Sequence, residues 1–240
     1  MSILAITLLT FFSSIIGTIT GFGISTIMVP IVLFFLPLPE TLLLVGLIHW
    51  FGDLWKMLLF KHGVHKKLLI YFGIPGIIAS AYGASLIVHL PENLSSRIVG
   101  TILVSYVTFL ILEPNFRLKE TNLTASLGGI SSGFLAGISG VGGGALRAVV
   151  LTAFNIPKST YIFTAGVLGA LIDASRIVTY FAGGTRIATT LLLGFILFIP
   201  TSFVGAEIAK KFVDKIPQKL FRSVVAVFLF LLGIKLLVFP

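Results

Sequence analysis

The stretch "GISGVGGGALRAV", residues 137–149, decides how the chain is read. It lies inside a long apolar run and holds five glycines followed by Arg147. Four glycines in the five positions 140–144 make a poor helix. They favour a turn whose backbone N–H groups stay unpaired, and a helix that starts after such a turn offers its positive N-terminal end to the same place. An arginine one turn into that helix is costly in apolar surroundings unless it has an anionic partner.

Those surroundings are a membrane. The 240-residue chain is 57% hydrophobic and 10% charged, with a mean hydropathy of +1.12. A soluble domain of this size cannot bury so much apolar side chain, because about a quarter of a typical soluble domain is charged. The expected fold class is therefore an all-α polytopic membrane protein. The net charge of +9 comes from 17 Lys and Arg against 8 Asp and Glu. The basic residues cluster in short loops between apolar segments, as cytoplasmic loops do. No stretch interleaves basic and aromatic residues on a polar surface, so nucleic acid is excluded as a partner. There is no cysteine, which excludes disulfides, thiolate zinc and thiol catalysis. "MSILAITLLTFFSS" has no Lys or Arg ahead of its apolar run, so it is expected to be a retained membrane segment rather than a signal peptide.

The chain matches itself. "FGDLWKM" (51–57) aligns with "LIDASRI" (171–177), pairing Asp53 with Asp173 and Lys56 with Arg176. "GFG" (21–23) aligns with "GVG" (140–142), and "IPGIIASAYGA" (74–84) with "IPTSFVGAEIA" (199–209). The shared order predicts two membrane repeats, 1–113 and 122–240, joined by a polar linker at 114–121. Each repeat has one long apolar segment with a Gly-rich break, then three ordinary spans, giving 8–10 membrane segments. Met1 to Pro39 carries no charged side chain and would form a helix about 58 Å long against a hydrocarbon core of about 30 Å. It must break, and "TITGFG" and "SGVGGG" are the places to break.

Loop charge sets the orientation. "KHGVHKK" (61–67) is basic while its counterpart "FAGGTRI" (181–187) has one Arg. One loop later the bias reverses: "KKFVDKIPQKLFR" (210–222) is strongly basic, whereas "VHLPENLSSR" (88–97) is nearly neutral. Repeats inserted with inverted topology exchange their positive loops in this way. Loops 61–67 and 210–222 are then both cytoplasmic, in a multi-pass protein of the cytoplasmic (inner) membrane. Parity requires the broken segment between them to cross twice or not at all, as a hairpin or re-entrant segment.

Two groups of residues carry chemistry. The tips offer Gly21, Gly23, Ser25 and Thr26 in the first repeat and Gly140, Gly142, Gly143, Gly144 and Arg147 in the second, an expected anion site of two unequal halves. Packing alone explains the small residues of "GGISSGFLAG" (128–137). The second group is Asp53 with Lys56 and Asp173 with Arg176, at i and i+3 on one helix face, with His49 one turn before Asp53. Intrahelical neutralisation accounts for these pairs as well as proton coupling does. There is no Walker loop, HExxH or GxSxG, and no His cluster for a metal, so neither an enzyme nor a cofactor is expected.

At "GFLAGISGVGGGALRAVVL" (133–151), echoed at 14–32, the chain resembles the TauE/SafE family of membrane anion exporters. It is similar in length, in its two halves and in the Pro-containing turns "LPLPE" and "NIPKS" after each broken segment. The resemblance implies export of sulfite, organosulfonates or similar small sulfur oxyanions from prokaryotic cells. It departs from the family at "ALRAVV", at "FTAG" (163–166) and at "GFGIST", all beside the expected site. The expected function is secondary anion transport by alternating access, with possible proton coupling. The alternatives are a proton-linked cation or metabolite carrier using Asp53 and Asp173, or a non-transporting membrane subunit. The expected partners are a small anion and the lipid bilayer, and a homodimer is admissible.

Overall fold

The computed structural model describes the chain except residues 1, 21–22, 61–62, 114–118, 155, 157, 213–226, 228–229, 232 and 239–240. Gly21, most of the 114–121 linker and most of the 210–222 loop lie outside the described residues. The regular structure of the described residues is helical.

Each half opens with a helical hairpin. Helix α1 (Ile3–Thr20) is followed by the short α2 (Ser25–Val32), and α7 (Asn122–Ser139) by α8 (Gly143–Ala153). Positive-φ glycines make both reversals: Gly23 (φ 85°) in the first, and Gly140 (φ 66°) and Gly142 (φ 83°) in the second. Residues with a Cβ rarely adopt this conformation. Gly140 closes α7 as a left-handed C-cap, its N–H donating to Ala136 O at 3.0 Å.

The returning arms run back along the helices they follow. Ser132 Oγ donates to Gly143 O (2.7 Å), and a Cβ on Gly128 would lie 2.5 Å from Val150. In the first hairpin, Gly23 N–H donates to Gly17 O (3.2 Å), and Thr10 lies against Met28. Eight and eleven helical residues reach about 12 and 16 Å, roughly half a hydrocarbon core.

Long helices follow each hairpin. They are α3 (Leu38–Leu59), the continuous segment Lys66–His89 and α6 (Glu92–Leu112) in the first half, and α9 (Lys158–Ala182) and α10 (Thr189–Phe212) in the second. The segment Lys66–His89 comprises α4 (Lys66–Leu68), a π turn (Leu69–Gly73) and α5 (Ile74–His89). The π turn sits just ahead of Pro75, which has no N–H to give the regular ladder. Among the described residues four helices, at Leu38–Leu59, Lys66–His89, Thr160–Ala182 and Thr189–Lys211, are long and apolar enough to cross a membrane. Large apolar side chains such as Leu4, Ile78 and Ile196 point outward, the surface that lipid requires.

The helix pairings repeat when the halves are exchanged: α5 packs on α7 as α10 packs on α1, α5 on α9 as α10 on α3, and α3 on α9 at the centre. Small residues permit the closest of these approaches, since lipid supplies no hydrophobic drive between helices. On α7, a Cβ at Gly129, Gly133 or Gly137 would collide with the backbone oxygens of Phe72, Gly76 and Ser80 respectively. On the other side, Ser14 Oγ donates to Ser202 O at 2.6 Å. Lys210 Nζ lies 5.7 Å from the Phe60 ring centre, and His65 N–H donates to Thr164 Oγ1 (3.0 Å). The end of α3, the start of α4 and the end of α10 therefore share one end of the bundle. Pro37, Glu40, Leu90 and Arg186 line a cleft of about 430 Å³ that gathers the start of α3, the end of α5 and the α9–α10 turn.

Gly133→Ala is expected to lower stability by about 1–3 kcal/mol, because backbone rather than a movable side chain blocks the new methyl. Thermal unfolding in detergent measures this, with the outward-facing Leu127→Ala expected to leave the midpoint unchanged.

Candidate functional site

The face of α3 that carries His49, Asp53 and Lys56 at i, i+4 and i+7 meets the face of α9 that carries Asp173 and Arg176. Within each helix the i, i+3 spacing closes a direct ion pair: Lys56 Nζ lies 2.7 Å from Asp53 Oδ1, and Arg176 Nε lies 2.7 Å from Asp173 Oδ1. His49 joins the two helices. Its Nδ1 stands 3.1 Å from Asp173 Oδ2 and its Nε2 stands 3.8 Å from Asp53 Oδ1. Trp50 Nε1 donates to Ala170 O (3.1 Å) across the same seam.

Both hairpins close over this seam. From the first, Ser25 Oγ lies 3.0 Å from His49 Nδ1, and Gly23 is so near the imidazole that a Cβ there would strike Nε2. Thr26 is buried beside them. From the second, Arg147 directs Nη2 to 3.9 Å from Asp53 Oδ2. A Cβ on Gly140 would stand 3.5 Å from Arg176 Nη1. Gly142 supplies the left-handed turn, while Gly143 packs against Ser132 O and Ala136 of its own hairpin, and Gly144 is half-buried.

The structure therefore gathers Gly23, Ser25, Gly140, Arg147, His49, Asp53, Lys56, Asp173 and Arg176, and gives Gly143 a packing contact. Arg147 faces the carboxylate of Asp53 on a neighbouring helix. Asp53, Lys56, Arg147, Asp173, Arg176 and His49 are each no more than 4% exposed. Lys56, Arg147 and Arg176 outnumber the two carboxylates, so the cluster holds one positive charge in excess when His49 is neutral. Among the described residues Arg147 Nε and Nη2 and Arg176 Nη1 have no hydrogen-bond partner, and neither do Asp53 Oδ2 and Asp173 Oδ2. Unspent guanidinium donors in a low-dielectric, net-positive site are suited to a small oxyanion.

Two participants escape the reading of the sequence. Gly169, one turn before Asp173, leaves room that a Cβ would take from Asp53 Oδ2 and Arg147 Nη2. Tyr180, one turn after Arg176, is fully buried and donates its hydroxyl to Gly137 O. Their i±4 spacing from the Asp173–Arg176 pair is the only sequence signal for either.

Paired hairpins closing on a buried, net-positive cluster between helices long and apolar enough to cross a membrane give the build of a multi-pass membrane protein. The chain belongs to the sulfite exporter TauE/SafE family, whose model matches residues 6–236. Membership places it among membrane transporters of sulfite and related anions. No curated protein and no solved structure matches it.

Asp53→Asn would leave Lys56 buried without its counter-charge, an expected cost of about 3–5 kcal/mol. The double variant Asp53→Asn/Lys56→Met should recover most of that loss in thermal unfolding, because it removes the orphaned charge as well.

Proposed function

We propose that the protein exports a small sulfur oxyanion, such as sulfite or an organosulfonate, and binds it where the two hairpin tips meet the α3–α9 seam. The observation that carries this is the excess of buried cations over carboxylates, with free donors on Arg147 and Arg176. Arg147 is the principal anion ligand. Its 3.9 Å separation from Asp53 is longer than a direct hydrogen bond, so an incoming oxyanion competes for a guanidinium that is only loosely held. The N-terminal ends of α2 and α8, including Ser25 and Thr26, add positive potential and hydroxyl donors on either side.

Transport proceeds by alternating access, one repeat rocking against the other about the α3–α9 seam. Inverted repeats with discontinuous helices at the substrate work in this way. The exchangeable helix pairings and the close α5–α7 and α1–α10 contacts support the mechanism. A transported metal cation fits less well. His49, Asp53 and Asp173 bring ligand atoms within 4.8 Å of one another, but Lys56 and Arg176 already hold one oxygen of each carboxylate.

In proteoliposomes, Arg147→Ala is expected to reduce sulfite flux at sub-saturating concentration by about 10–100-fold, the loss of one charge-assisted contact of about 1.5–3 kcal/mol. Arg147→Lys should recover part of it, keeping the charge without the planar fork. Wild-type flux in Arg147→Ala sinks the assignment of this residue.

Loops 61–67 and 210–222 face the cytoplasm. The chain has no native cysteine, so single-cysteine variants report cleanly. An impermeant maleimide should label Asn93→Cys and Thr185→Cys in intact spheroplasts, and Val64→Cys and Lys219→Cys only after lysis. The opposite pattern reverses the orientation.

A further inference from the structure

The two halves of the site match in one respect and differ in another. The offset of 120 that pairs Asp53 with Asp173 also pairs His49 with Gly169. The offset of 119 that aligns the glycine turns pairs Arg147 with Met28, an uncharged side chain that is fully buried beside Thr10. The carboxylates and their i+3 cations are thus duplicated, while the third partner is not. Asp173 receives an imidazole from α3. Asp53 receives a guanidinium from α8, which reaches it over the space left by Gly169. One half holds a permanent cation where the other holds a side chain that can take up or release a proton.

Nδ1 of His49 stands 3.1 Å from Asp173 Oδ2 without a hydrogen bond to it. Ser25 Oγ sits at the same nitrogen. Among the described residues Nε2 has no hydrogen-bond partner, and it faces Asp53 Oδ1 at 3.8 Å. The charged groups around this imidazole are Asp53 and Lys56 from α3, Asp173 and Arg176 from α9, and, across Asp53, Arg147 from α8. The first hairpin brings Gly23 and the hydroxyl of Ser25 against the ring.

With His49 neutral, the cluster's single excess positive charge is balanced by a monoanion. A dianion would leave one uncompensated negative charge in a dry site, which is expensive. We propose that His49 adjusts the charge of the site to that of the bound anion: a dianion binds together with a proton taken up by the His49 imidazole, and a monoanion binds without one. The loaded site would then be electroneutral with either anion, and proton coupling would be a property of the anion's charge. This rests on the anion site at Arg147 proposed above.

The test uses the purified wild-type protein and two probes that do not exchange protons themselves near neutral pH, sulfoacetate as the dianion and methanesulfonate as the monoanion. Calorimetric titration in buffers of different ionisation enthalpy gives protons taken up per anion bound. The expected result is about one proton per sulfoacetate and about none per methanesulfonate. In His49→Gln the uptake per sulfoacetate bound should fall to about zero. Equal uptake for the two anions in the wild type overturns the proposal while leaving the anion site standing, and so does undiminished uptake in His49→Gln. Failure of both probes to bind removes the anion site itself, and this proposal with it. The wild-type comparison is decisive even if His49→Gln does not fold.

Discussion

Six ionisable side chains are buried together in a bundle whose outer surface is lined with Leu, Ile, Val and Phe. Each isolated charge in such a setting would cost several kcal/mol, and only partners at close range make the burial tolerable. The rest of the architecture follows from that constraint. The i, i+3 pairs on α3 and α9 neutralise each helix locally, which lowers the cost of placing these charges in the membrane. The seam between them can then be dry, because His49 and Arg147 supply the cross-connections.

Backbone conformation and electrostatics converge at the hairpin tips. Only glycine reverses a helix in so little space, and the same absence of Cβ lets Gly23 lie against the His49 ring and Gly140 beside Arg176. Glycine at these positions is thus used twice, once for φ and once for proximity. The stripe Gly129, Gly133 and Gly137 has a different role. It seats α7 on the backbone of α5, and through Gly137 O and the Tyr180 hydroxyl it ties that pair to the helix carrying Asp173 and Arg176.

Much of this was legible in the chain. The membrane class follows from composition, the hairpins from an uncharged run too long for one crossing, and the Asp–Lys and Asp–Arg pairs from helical spacing. Arg147 could be singled out as a charge needing a partner, but whether that partner was an anion or a carboxylate could not be read. Gly169 and Tyr180 were not legible as site residues, since one is conspicuous only for the space it leaves and the other looks like any buried aromatic.

What the sequence by itself determined is every property that depends on near neighbours: helix periodicity, the glycine turns, the i, i+3 ion pairs and the duplication that repeats them. Tertiary structure alone decided which half supplies the third partner to each carboxylate. His49 lies 124 positions from Asp173, and Arg147 lies 94 from Asp53. No local propensity couples residues so far apart. They meet because α3 packs on α9 and both hairpins fold back over the seam, and that arrangement gives two equivalent carboxylates unequal surroundings.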